Sequence, residues 1–338
     1  MSVTIKKIAK DLNLAVSTVS KALRDSHEIS AETKARVFEY AAKLDYIPNP
    51  YASSLKKGRS GNIAVVLPEV ADSFFSAAIN GIESIAHDKG YHTMVYLTHE
   101  DVQREQSIVR EFRNGRVDGV LMSIVANDEK YEHLTELYAN KIPLVFFDRV
   151  CESIETASVV TNDFDSAYAA AKHLIDQGSK RIAFLSMPGE LAIIKHRHQG
   201  YTQALRDHAL PERVVFCTDN EDENNAIIEQ LLTASDRPDG IIGSIEKVTM
   251  PVYKICHAHR IAIPYDIKII GFSHLQIASL LDPPLTTVTQ PAFEMGKAAA
   301  TILFKALEKK YNLKNERIII PSVLNVRAST HTMSIENK

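Results

Sequence analysis

The residues of this sequence that are best suited to chemistry are short hydroxyl side chains beside a basic one, near the N-terminus. The string Val16-Ser-Thr-Val-Ser-Lys21 places three hydroxyls and one ammonium within six residues. Such hydroxyls hold phosphate groups, while other side chains read base edges. The sequence has no Gly-x-Ser-x-Gly elbow, no Gly-x4-Gly-Lys phosphate loop and no His-Glu-x-x-His helix. We therefore expect a binding protein without catalytic residues, metal site or cofactor.

The charge of the chain is divided unevenly along its length. Residues 1–60 hold 11 Lys or Arg against 6 Asp or Glu, a balance of +5, whereas the other 278 residues hold 28 against 36, a balance of −8. The net charge of −3 over 338 residues hides this division. A basic head on an acidic body favours a nucleic-acid-binding unit attached to something else. A chance fluctuation in charge is the alternative.

Short helices are predicted in the head, residues 1–48. Thr4 can cap a helix whose apolar residues follow a 3.6-residue period. A tight turn follows at Asn13, since Asn tolerates the left-handed backbone conformation. A second helix is expected over Val16–Leu23 and a third from Ser30. Two short helices joined by a tight turn form a helix-turn-helix, whose second helix enters the major groove of DNA.

The ordered strings of the head closely resemble the DNA-binding domain of the LacI/GalR family of bacterial repressors. They are Thr4-Ile-Lys-Lys-Ile-Ala-Lys, Val16-Ser-Thr-Val-Ser-Lys-Ala-Leu, Ile29-Ser-Ala-Glu-Thr and Leu44-Asp-Tyr-Ile-Pro-Asn-Pro. The resemblance continues to about residue 330. It implies a sequence-specific transcriptional regulator, expected to be a repressor, that binds a pseudo-palindromic DNA operator as a homodimer.

The resemblance assigns DNA contacts to particular residues. Val16 and Ser17 match positions that read base edges, and Lys21 matches a basic position near the groove. The other candidate DNA contacts of this region are hydroxyl or amide side chains: Thr4, Thr18, Ser20, Ser30, Thr33 and Asn49. For each Ser or Thr the alternative is a solvated helix surface or a cap. Ala15 stands where the family usually has a capping Ser, and losing a cap costs about 0.5–2 kcal/mol, so packing is expected to hold the second helix.

Residues 49–61 are expected to form a hinge helix and linker. Seven or eight residues are too few for a stable isolated helix in water, and the segment resembles the family's hinge helix, which folds on operator DNA when two chains pair. In that resemblance Leu55 matches an apolar wedge that opens a base step in the minor groove. Ala52 matches a small residue near the groove floor, and Lys56 adds phosphate attraction. A flexible tether with an incidental Leu is the alternative.

The body, residues 62–330, alternates short apolar runs with helical patterns. This alternation predicts an α/β fold with parallel sheets wrapped by helices. Two similar series indicate two doubly wound lobes of the periplasmic-binding-protein type, the first about 62–161 and 291–322, the second about 162–289 and 323–330. Ligands in such sheets bind outside the carboxyl ends of the strands, so two facing lobes predict a cleft. The expected helices include Ala77–Lys89, Gln199–Asp207 and Pro251–His259.

The body also resembles the effector domain of the same family, which is itself similar to periplasmic sugar-binding proteins. Supporting strings include Ile142-Pro-Leu-Val-Phe-Phe-Asp-Arg149, Arg197-His-Gln-Gly-Tyr and Leu285-Thr-Thr-Val-Thr-Gln-Pro291. The matched positions imply a small carbohydrate-like effector bound by Phe74, Phe75, Ser123, Asp148, Arg197, Ser244, Ser273 and Gln290. Aromatic faces suit sugar C–H surfaces, and an Arg fork suits a carboxylate, a phosphate or vicinal hydroxyls. A core Phe pair and an Asp148–Arg149 structural pair are the alternatives.

Three positions depart from the family pattern. Ser273 replaces an Asp that binds ligand hydroxyls, Ile245 replaces another Asp, and Asp219 stands in place of an aromatic residue. A carboxylate is thereby lost, and Lys195-His-Arg-His198 adds positive charge. We therefore hypothesise an anionic effector, such as a sugar acid or a sugar phosphate. Solvated surface charge is the alternative for Lys195 and His198.

A solute-binding protein of a transport system is the competing function, because the body alone permits it. The head argues against it, and so does the N-terminus, which lacks the apolar core of a secretory signal. No run approaches the ~18 apolar residues that a membrane span needs. Three widely spaced cysteines encode neither a disulfide framework nor a zinc ribbon. We expect a cytoplasmic protein without a membrane partner, ending in a short tail, residues 331–338.

The wedge expected at Leu55 gives a first test. Replacing Leu55 with Ala is expected to weaken specific operator binding far more than non-specific binding, because only the specific complex opens a base step, which costs about a few kcal/mol. Titrations of both chains against operator and random duplex DNA at one salt concentration measure the two affinities. An equal loss on both DNAs would contradict the wedge role.

Overall fold

The computed structural model describes residues 4–46, 59–125, 131–187, 191–218, 220–309, 313–314 and 316–331. Internal contacts divide the chain into two compact units, Met1–Ser60 and Gly61–Lys338. We call the first unit the head and the second the core, and each is described by itself. Within the described ranges, no helix combines the length and the apolar character that crossing a membrane requires.

Within residues 4–46 the head forms three helices, α1 (Ile5–Asp11), α2 (Val16–Leu23) and α3 (Ala31–Lys43). Thr4 caps α1 through its Oγ1, which accepts a hydrogen bond from the Lys7 N–H at 3.4 Å. Asn13 turns the chain toward α2 with a φ of 55°, in the left-handed region that Asn tolerates. The helices predicted from the sequence are thereby confirmed.

Packing holds α2 in place of a cap. The helix begins after Ala15 without a side-chain hydrogen bond. Its inner face, formed by Val19 and Ala22, is fully buried and packs in one cluster with Ile8 of α1 and Val37 of α3. Full burial of a Val or Ile side chain stabilises the fold by about 1.5–3 kcal/mol, which exceeds the contribution of a typical cap.

In the described part of the chain the core forms two sheets of six strands. The strands are β1 (Asn62–Leu67), β2 (His92–Leu97), β3 (Gly119–Met122), β4 (Leu144–Phe147), β5 (Ala157–Val160), β6 (Ile182–Ser186), β7 (Arg213–Phe216), β8 (Gly240–Gly243), β9 (Lys268–Phe272), β10 (Thr286–Thr289), β11 (Arg317–Ile319) and β12 (Val323–Asn325). The first sheet has the order β11-β5-β4-β3-β1-β2, and the second has the order β12-β10-β9-β8-β6-β7. Adjacent strands are parallel except β10 and β12, which pair antiparallel.

Helices cover both faces of each sheet and make the core α/β, as predicted. They are α4 (Ser73–Asp88), α5 (Val102–Phe112), α6 (Glu132–Ala139), α7 (Asp163–Asp176), α8 (Ala192–Asp207), α9 (Glu221–Thr233), α10 (Glu246–Ala258) and α11 (Ala292–Lys309). Each sheet has one apolar cluster on either face, so its central strands are buried on both sides, whereas its edge strands are partly exposed. We call each sheet with its helices a lobe, first and second in the order of the sheets.

The described chain crosses between the lobes at three places, after β5, after β10 and after β11. These crossings are bonded to one another. The Asn162 side-chain oxygen accepts a hydrogen bond from the Ser322 N–H at 2.9 Å, and the Gln290 amide donates to Thr161 Oγ1 at 3.5 Å. The three crossings therefore lie side by side.

The apolar runs of the sequence predict ten strands, and all ten are present with ends within one residue of those expected. The expected ranges are Ile63–Leu67, Thr93–Leu97, Gly119–Met122, Leu144–Phe147, Ser158–Thr161, Arg181–Leu185, Val214–Cys217, Gly240–Gly243, Lys268–Gly271 and Arg317–Ile320. Two strands were missed, β10 and β12. Three of the four residues of β10 are Thr, and β12 has only three residues. Neither strand offers the apolar run that marks a buried strand in a sequence.

Three helices begin four or more residues earlier than the sequence pattern indicated. The expected helices Ala77–Lys89, Gln199–Asp207 and Pro251–His259 correspond to α4, α8 and α10, which begin four, seven and five residues earlier. Pro251, the first residue of the third expected helix, lies inside α10. The correction matters because the missed first turns carry side chains of the cleft described below.

Two glycines allow α4 and α11 to approach each other closely. A Cβ atom at Gly81 would lie 2.0 Å from the Phe293 carbonyl oxygen, and a Cβ at Gly296 would lie 2.0 Å from the Ala78 carbonyl oxygen. Both clashes are with backbone atoms, which cannot rotate away. The two helices therefore pack backbone against backbone at these positions.

Replacing Gly81 with Ala is expected to lower the free energy of unfolding of the core by about 1–3 kcal/mol, because the methyl group forces the helices apart. In an uncrowded helix the same change stabilises by up to about 1 kcal/mol, so the sign of the effect reports the contact. Denaturant unfolding measures it. The exposed Glu83→Ala on the same helix is the control, and a stabilised Gly81→Ala would contradict the close packing.

Candidate functional site

The N-terminus of α2 presents the predicted base-reading residues to solvent. Val16 is 43% exposed, and Ser17 is also exposed. An apolar side chain in solvent contributes little to folding, but it suits contact with a thymine methyl group, and a hydroxyl suits a base edge. The side chains at these two positions are therefore not needed for packing of the head.

Further along α2, the predicted phosphate contacts already have protein partners. Arg24 donates one hydrogen bond to the Ser20 carbonyl at 3.0 Å and another to Ser20 Oγ at 3.1 Å. Lys21 forms an ion pair with Glu28, and this hydrogen bond lowers the pKa of the Glu28 carboxyl. Thr18 is half-buried. A DNA phosphate would have to compete with these partners for Ser20 and Lys21.

The remaining predicted hydroxyls act partly as caps. Ser30 Oγ accepts a hydrogen bond from the Thr33 N–H at 3.3 Å and donates to Thr33 Oγ1 at 3.0 Å. Thr4 caps α1 and Ser30 caps α3, so both hydroxyls have the capping role that was the alternative to a DNA contact. The other predicted DNA contacts, Asn49, Ala52, Leu55 and Lys56, lie outside the described residues, as does most of the expected hinge.

In the core, six of the eight predicted effector-binding residues line one cavity of about 40 Å³, with walls from both lobes: Phe74, Phe75, Asp148, Arg197, Ser273 and Gln290. The other two lie behind its wall. Ser123 Oγ donates to Asp148 Oδ2 at 3.4 Å, and the Ser244 carbonyl accepts from Arg197 Nη1 at 2.7 Å. The structure therefore brings the predicted set together at the carboxyl ends of the strands.

Arg197 is fixed in the second-lobe wall by several contacts. It is 2% exposed, and its Nε donates to Asp163 Oδ1 at 2.7 Å. Its guanidinium carbon lies 4.2 Å from the centroid of the Phe272 ring. Within the described residues, Arg197 Nη2 and Ser244 Oγ are both buried and have no hydrogen-bond partner. A ligand oxygen at this wall would satisfy that donor.

Asp148 lies at the end of β4 in the first-lobe wall, with a φ of 62°. Burial raises its pKa to about 6, against the lowering effect of Arg149 and Arg197. Gln290 donates to its Oδ1 at 3.4 Å. The alternative pairing with Arg149 is weak, because the closest approach is 3.9 Å, whereas Arg149 binds Glu100 at 2.8 Å. Asp148 thus keeps long contacts that a ligand could replace.

Phe74 and Phe75 both line the cavity and both belong to the apolar cluster of the first lobe. Their rings meet edge to face with centroids 5.2 Å apart, and Phe75 meets Phe147 in the same way at 6.5 Å. These two rings are therefore both a packed core pair and part of the cavity lining, so the two interpretations do not exclude each other. Asp72 caps the helix that carries them, accepting from the Phe74 N–H at 2.8 Å.

The sequence analysis missed an acidic residue of this cavity, Glu246. Its carboxylate accepts hydrogen bonds from Ser73 Oγ at 2.9 Å and from Ser273 Oγ at 2.8 Å. Burial raises the pKa of Glu246, and the bonds from Ser273 and Ser73 oppose this rise. A carboxylate is thus present where the loss of the family Asp at position 273 had suggested none. Asp72 and His274, which also line the cavity, were missed as well.

Of the basic string Lys195-His-Arg-His198, only Arg197 lines this cavity. Arg197 is neutralised by Asp163, and His198 bonds Glu212 at 2.6 Å. Lys195 and His196 line a second, neighbouring cavity of about 350 Å³, which shares Arg149 with the first. The third departure noted in the sequence, Asp219, lies outside the described residues.

No metal centre is built from the described side chains. Within the described ranges, no group of three or more His, Cys, Asp or Glu residues is placed to hold a metal ion. The three cysteines, Cys151, Cys217 and Cys256, are free and buried.

Comparison with known proteins matches both units. Residues 4–49 match the model of bacterial regulatory proteins of the lacI family, and residues 171–330 match a periplasmic binding protein-like domain. The ribose operon repressor of Halalkalibacterium halodurans is 30% identical over 329 residues, 97% of each chain. The transcriptional repressor CytR of Escherichia coli is 26% identical over 98% of this chain and 97% of its own. A lac repressor dimer bound to operator has a TM-score of 0.84 at 20% identity, covering 98% of this chain and 100% of that one.

The raised pKa of Asp148 predicts a pH-dependent effect of Asp148→Asn on stability. A carboxyl whose pKa rises from 3.8 unfolded to about 6 folded gives stability that is full below pH 3.8 and lost as pH passes 6. Asn does not ionise, so the free energy of unfolding of the variant does not fall in this way as the pH rises. Its free energy of unfolding relative to wild type should therefore rise by on the order of 3 kcal/mol between about pH 4 and pH 8.

Denaturant unfolding of both chains across that pH range measures the difference. Asn also tolerates the positive φ of this position, so the substitution adds no backbone strain. The highly exposed Asp88→Asn is the control, for which the difference should stay flat. A flat difference for Asp148→Asn would refute the raised pKa.

Proposed function

The chain belongs to the LacI family of bacterial regulatory proteins, and on that premise we propose that it represses transcription at a DNA operator under the control of a small effector. Such a regulator needs a sequence reader and a ligand sensor in one chain. The observation that carries the proposal is their combination here: the exposed N-terminus of α2, and a cleft in which Arg197 Nη2 lacks a partner among the described residues.

In the proposed operator complex, Val16 and Ser17 contact base edges. Each good base-edge contact contributes about 1–3 kcal/mol of discrimination. The proposed phosphate and minor-groove contacts come from the rest of the predicted set: Thr4, Thr18, Ser20, Lys21, Ser30, Thr33, Asn49, Ala52, Leu55 and Lys56. Phosphate contacts set register and overall affinity, so they make binding strongly salt-dependent.

The proposed effector is a sugar or a sugar derivative bound in the cleft of the core. A relative 30% identical to this chain is named for ribose, and the cavity offers aromatic rings beside polar groups, which suits a sugar. The proposed contacts are those of the sequence analysis: Phe74, Phe75, Ser123, Asp148, Arg197, Ser244, Ser273 and Gln290. Ser123 and Ser244 act through Asp148 and Arg197 in this proposal, because they lie behind the wall.

The proposed link between cleft and operator is a coupling free energy. Effector binding shifts how the lobes of two paired chains meet, and thereby whether two hinge segments can order together on DNA. Couplings of this kind are typically about 1–3 kcal/mol, and they act equally in both directions. The homodimer and the domain limits expected from the sequence are part of this proposal.

A solute-binding protein is the second candidate. It is favoured by the match of residues 171–330 to a periplasmic binding protein-like domain. An enzyme has weaker support, because the curated relatives at 26–30% identity are transcriptional repressors. Salt-dependent retention of DNA distinguishes the regulator from both, since neither alternative needs it.

The proposal is tested by footprinting the purified full chain on fragmented genomic DNA of its source organism, followed by the Ser17→Ala variant on the sites found. Wild-type footprints should share a pseudo-palindrome, because two paired heads read two half-sites. Ser17→Ala should reduce the preference for those sites over random DNA about tenfold through one lost base-edge contact, with random-DNA binding unchanged.

Ser26→Ala provides the matched control, because it is the same Ser-to-Ala change at a position of the head that is not among the predicted DNA contacts. It should leave both affinities unchanged. If wild-type protein retained no DNA at low salt, the regulator would be rejected in favour of the solute-binding protein. If Ser17→Ala behaved like Ser26→Ala, the assignment of Ser17 to a base edge would be wrong.

A further inference from the structure

One carboxylate oxygen joins the two lobes at the cavity. Glu246, the first residue of α10, accepts a hydrogen bond at its Oε2 from Ser73 Oγ at 2.9 Å and another from Ser273 Oγ at 2.8 Å. Ser73 begins α4 of the first lobe, whereas Ser273 follows β9 of the second. This oxygen therefore takes one hydroxyl donor from each lobe.

Ser273 positions the carboxylate. Its Oγ accepts a hydrogen bond from the Leu275 N–H at 3.1 Å, and its single hydroxyl hydrogen goes to Glu246. Ser273 is 6% exposed, so it holds Glu246 from within the second lobe. Among the described residues, Ser73 Oγ has no second hydrogen bond of this kind, so the bond from Ser73 is the one that a ligand hydroxyl can replace.

The charges around the cavity favour a neutral ligand. Arg149 and Arg197 line it, but Glu100 binds the first at 2.8 Å and Asp163 binds the second at 2.7 Å. The other charged groups of the lining are carboxylates: Asp72, Asp148 and Glu246. Since both cations are already neutralised, an anionic ligand would meet uncompensated negative charge.

The same wall holds unused hydrogen-bonding capacity. Arg197 Nη2 can only donate, and Ser244 Oγ can donate or accept, and both are buried without a partner among the described residues. Buried donors of this kind are normally satisfied in the functional state. Glu246 supplies an acceptor in the lining of the same cavity, and a ligand hydroxyl both donates and accepts. The pair therefore suits a polyhydroxylated molecule.

We propose that Glu246 is the specificity-determining carboxylate of the cleft, which accepts hydrogen bonds from a neutral polyhydroxylated effector and excludes anionic ones. Ser73 competes for the same oxygen, and the effector hydroxyl replaces it. This inference rests on the proposed effector site and deepens it, because it names the residue that selects the ligand and the charge of the ligand selected.

The test uses matched neutral and anionic probes: ribose and ribose 5-phosphate, glucose and glucose 6-phosphate, adenosine and AMP. Isothermal titration of the full chain should give tighter binding of the neutral member of at least one pair, by about tenfold or more. Glu246→Gln should weaken that binding about tenfold and narrow the preference over the phosphate, because a charged acceptor is lost. Ser73→Ala should strengthen it by about three- to tenfold, because the competing donor is removed.

Opposite effects at the two ends of one hydrogen bond are not expected from a contact that only supports the fold. Ser84→Ala is the matched control on α4, because its hydroxyl bonds the Gly81 carbonyl of its own helix at 2.8 Å, and it should change no affinity. Thermal unfolding of each variant identifies one that does not fold. If Glu246→Gln failed to fold, the wild-type preference and the gain in Ser73→Ala would still decide.

Two results would overturn the inference: tighter binding of the phosphate in every pair that binds, or a similar loss in Ser73→Ala and Glu246→Gln. DNA retention is measured in parallel. A chain that retains DNA but binds none of the neutral probes contradicts this inference alone. A chain that retains no DNA contradicts the proposed function instead.

Discussion

The geometry of the cleft depends on the buried ion pair between Arg197 and Asp163. Their side chains are 2% and 4% exposed, and removing one partner of such a pair destabilises a protein by about 3–5 kcal/mol. The pair fixes the guanidinium in one orientation, with Nη1 on the Ser244 carbonyl and its plane over Phe272. The same bond reaches the crossings, since Thr161 Oγ1 donates to Asp163 at 3.1 Å. Ligand wall and lobe connection are therefore parts of one hydrogen-bonded network.

Most of the fold could be predicted from the sequence, because buried parallel strands are continuous apolar runs that are easily recognised. Helix starts at the cleft could not. The starts of α4, α8 and α10 that the sequence pattern missed carry Phe74, Arg197 and Glu246, which the pattern of an amphipathic helix does not require. These turns are held by tertiary contacts, such as the bonds to Asp163 and Ser273, that no local periodicity encodes. Because the residues proposed to bind a ligand do not follow the amphipathic pattern, the helix start cannot be recognised from the sequence.

The candidate site was predictable wherever a family position keeps its residue type. Six predicted side chains meet at one cavity, although the sequence places them more than 200 positions apart, from Phe74 to Gln290. Glu246 escaped notice because the carboxylate moved to another element, from the end of β9 to the start of α10. A position-by-position comparison sees the acid lost at position 273 and cannot see that a residue close to it in space, Glu246, supplies a carboxylate. The hypothesis of an anionic effector took the loss of that acid as one of its grounds.

The three side-by-side crossings have a mechanical consequence. Lobes joined by one connection could swing and twist freely, whereas side-by-side connections bonded through Asn162, Ser322, Thr161 and Gln290 restrain twisting. We therefore expect the lobes to rotate about the crossings as a hinge, which changes their separation at the cleft more than at the crossings. In the proposed regulator, effector binding would then act through the angle between the two lobes.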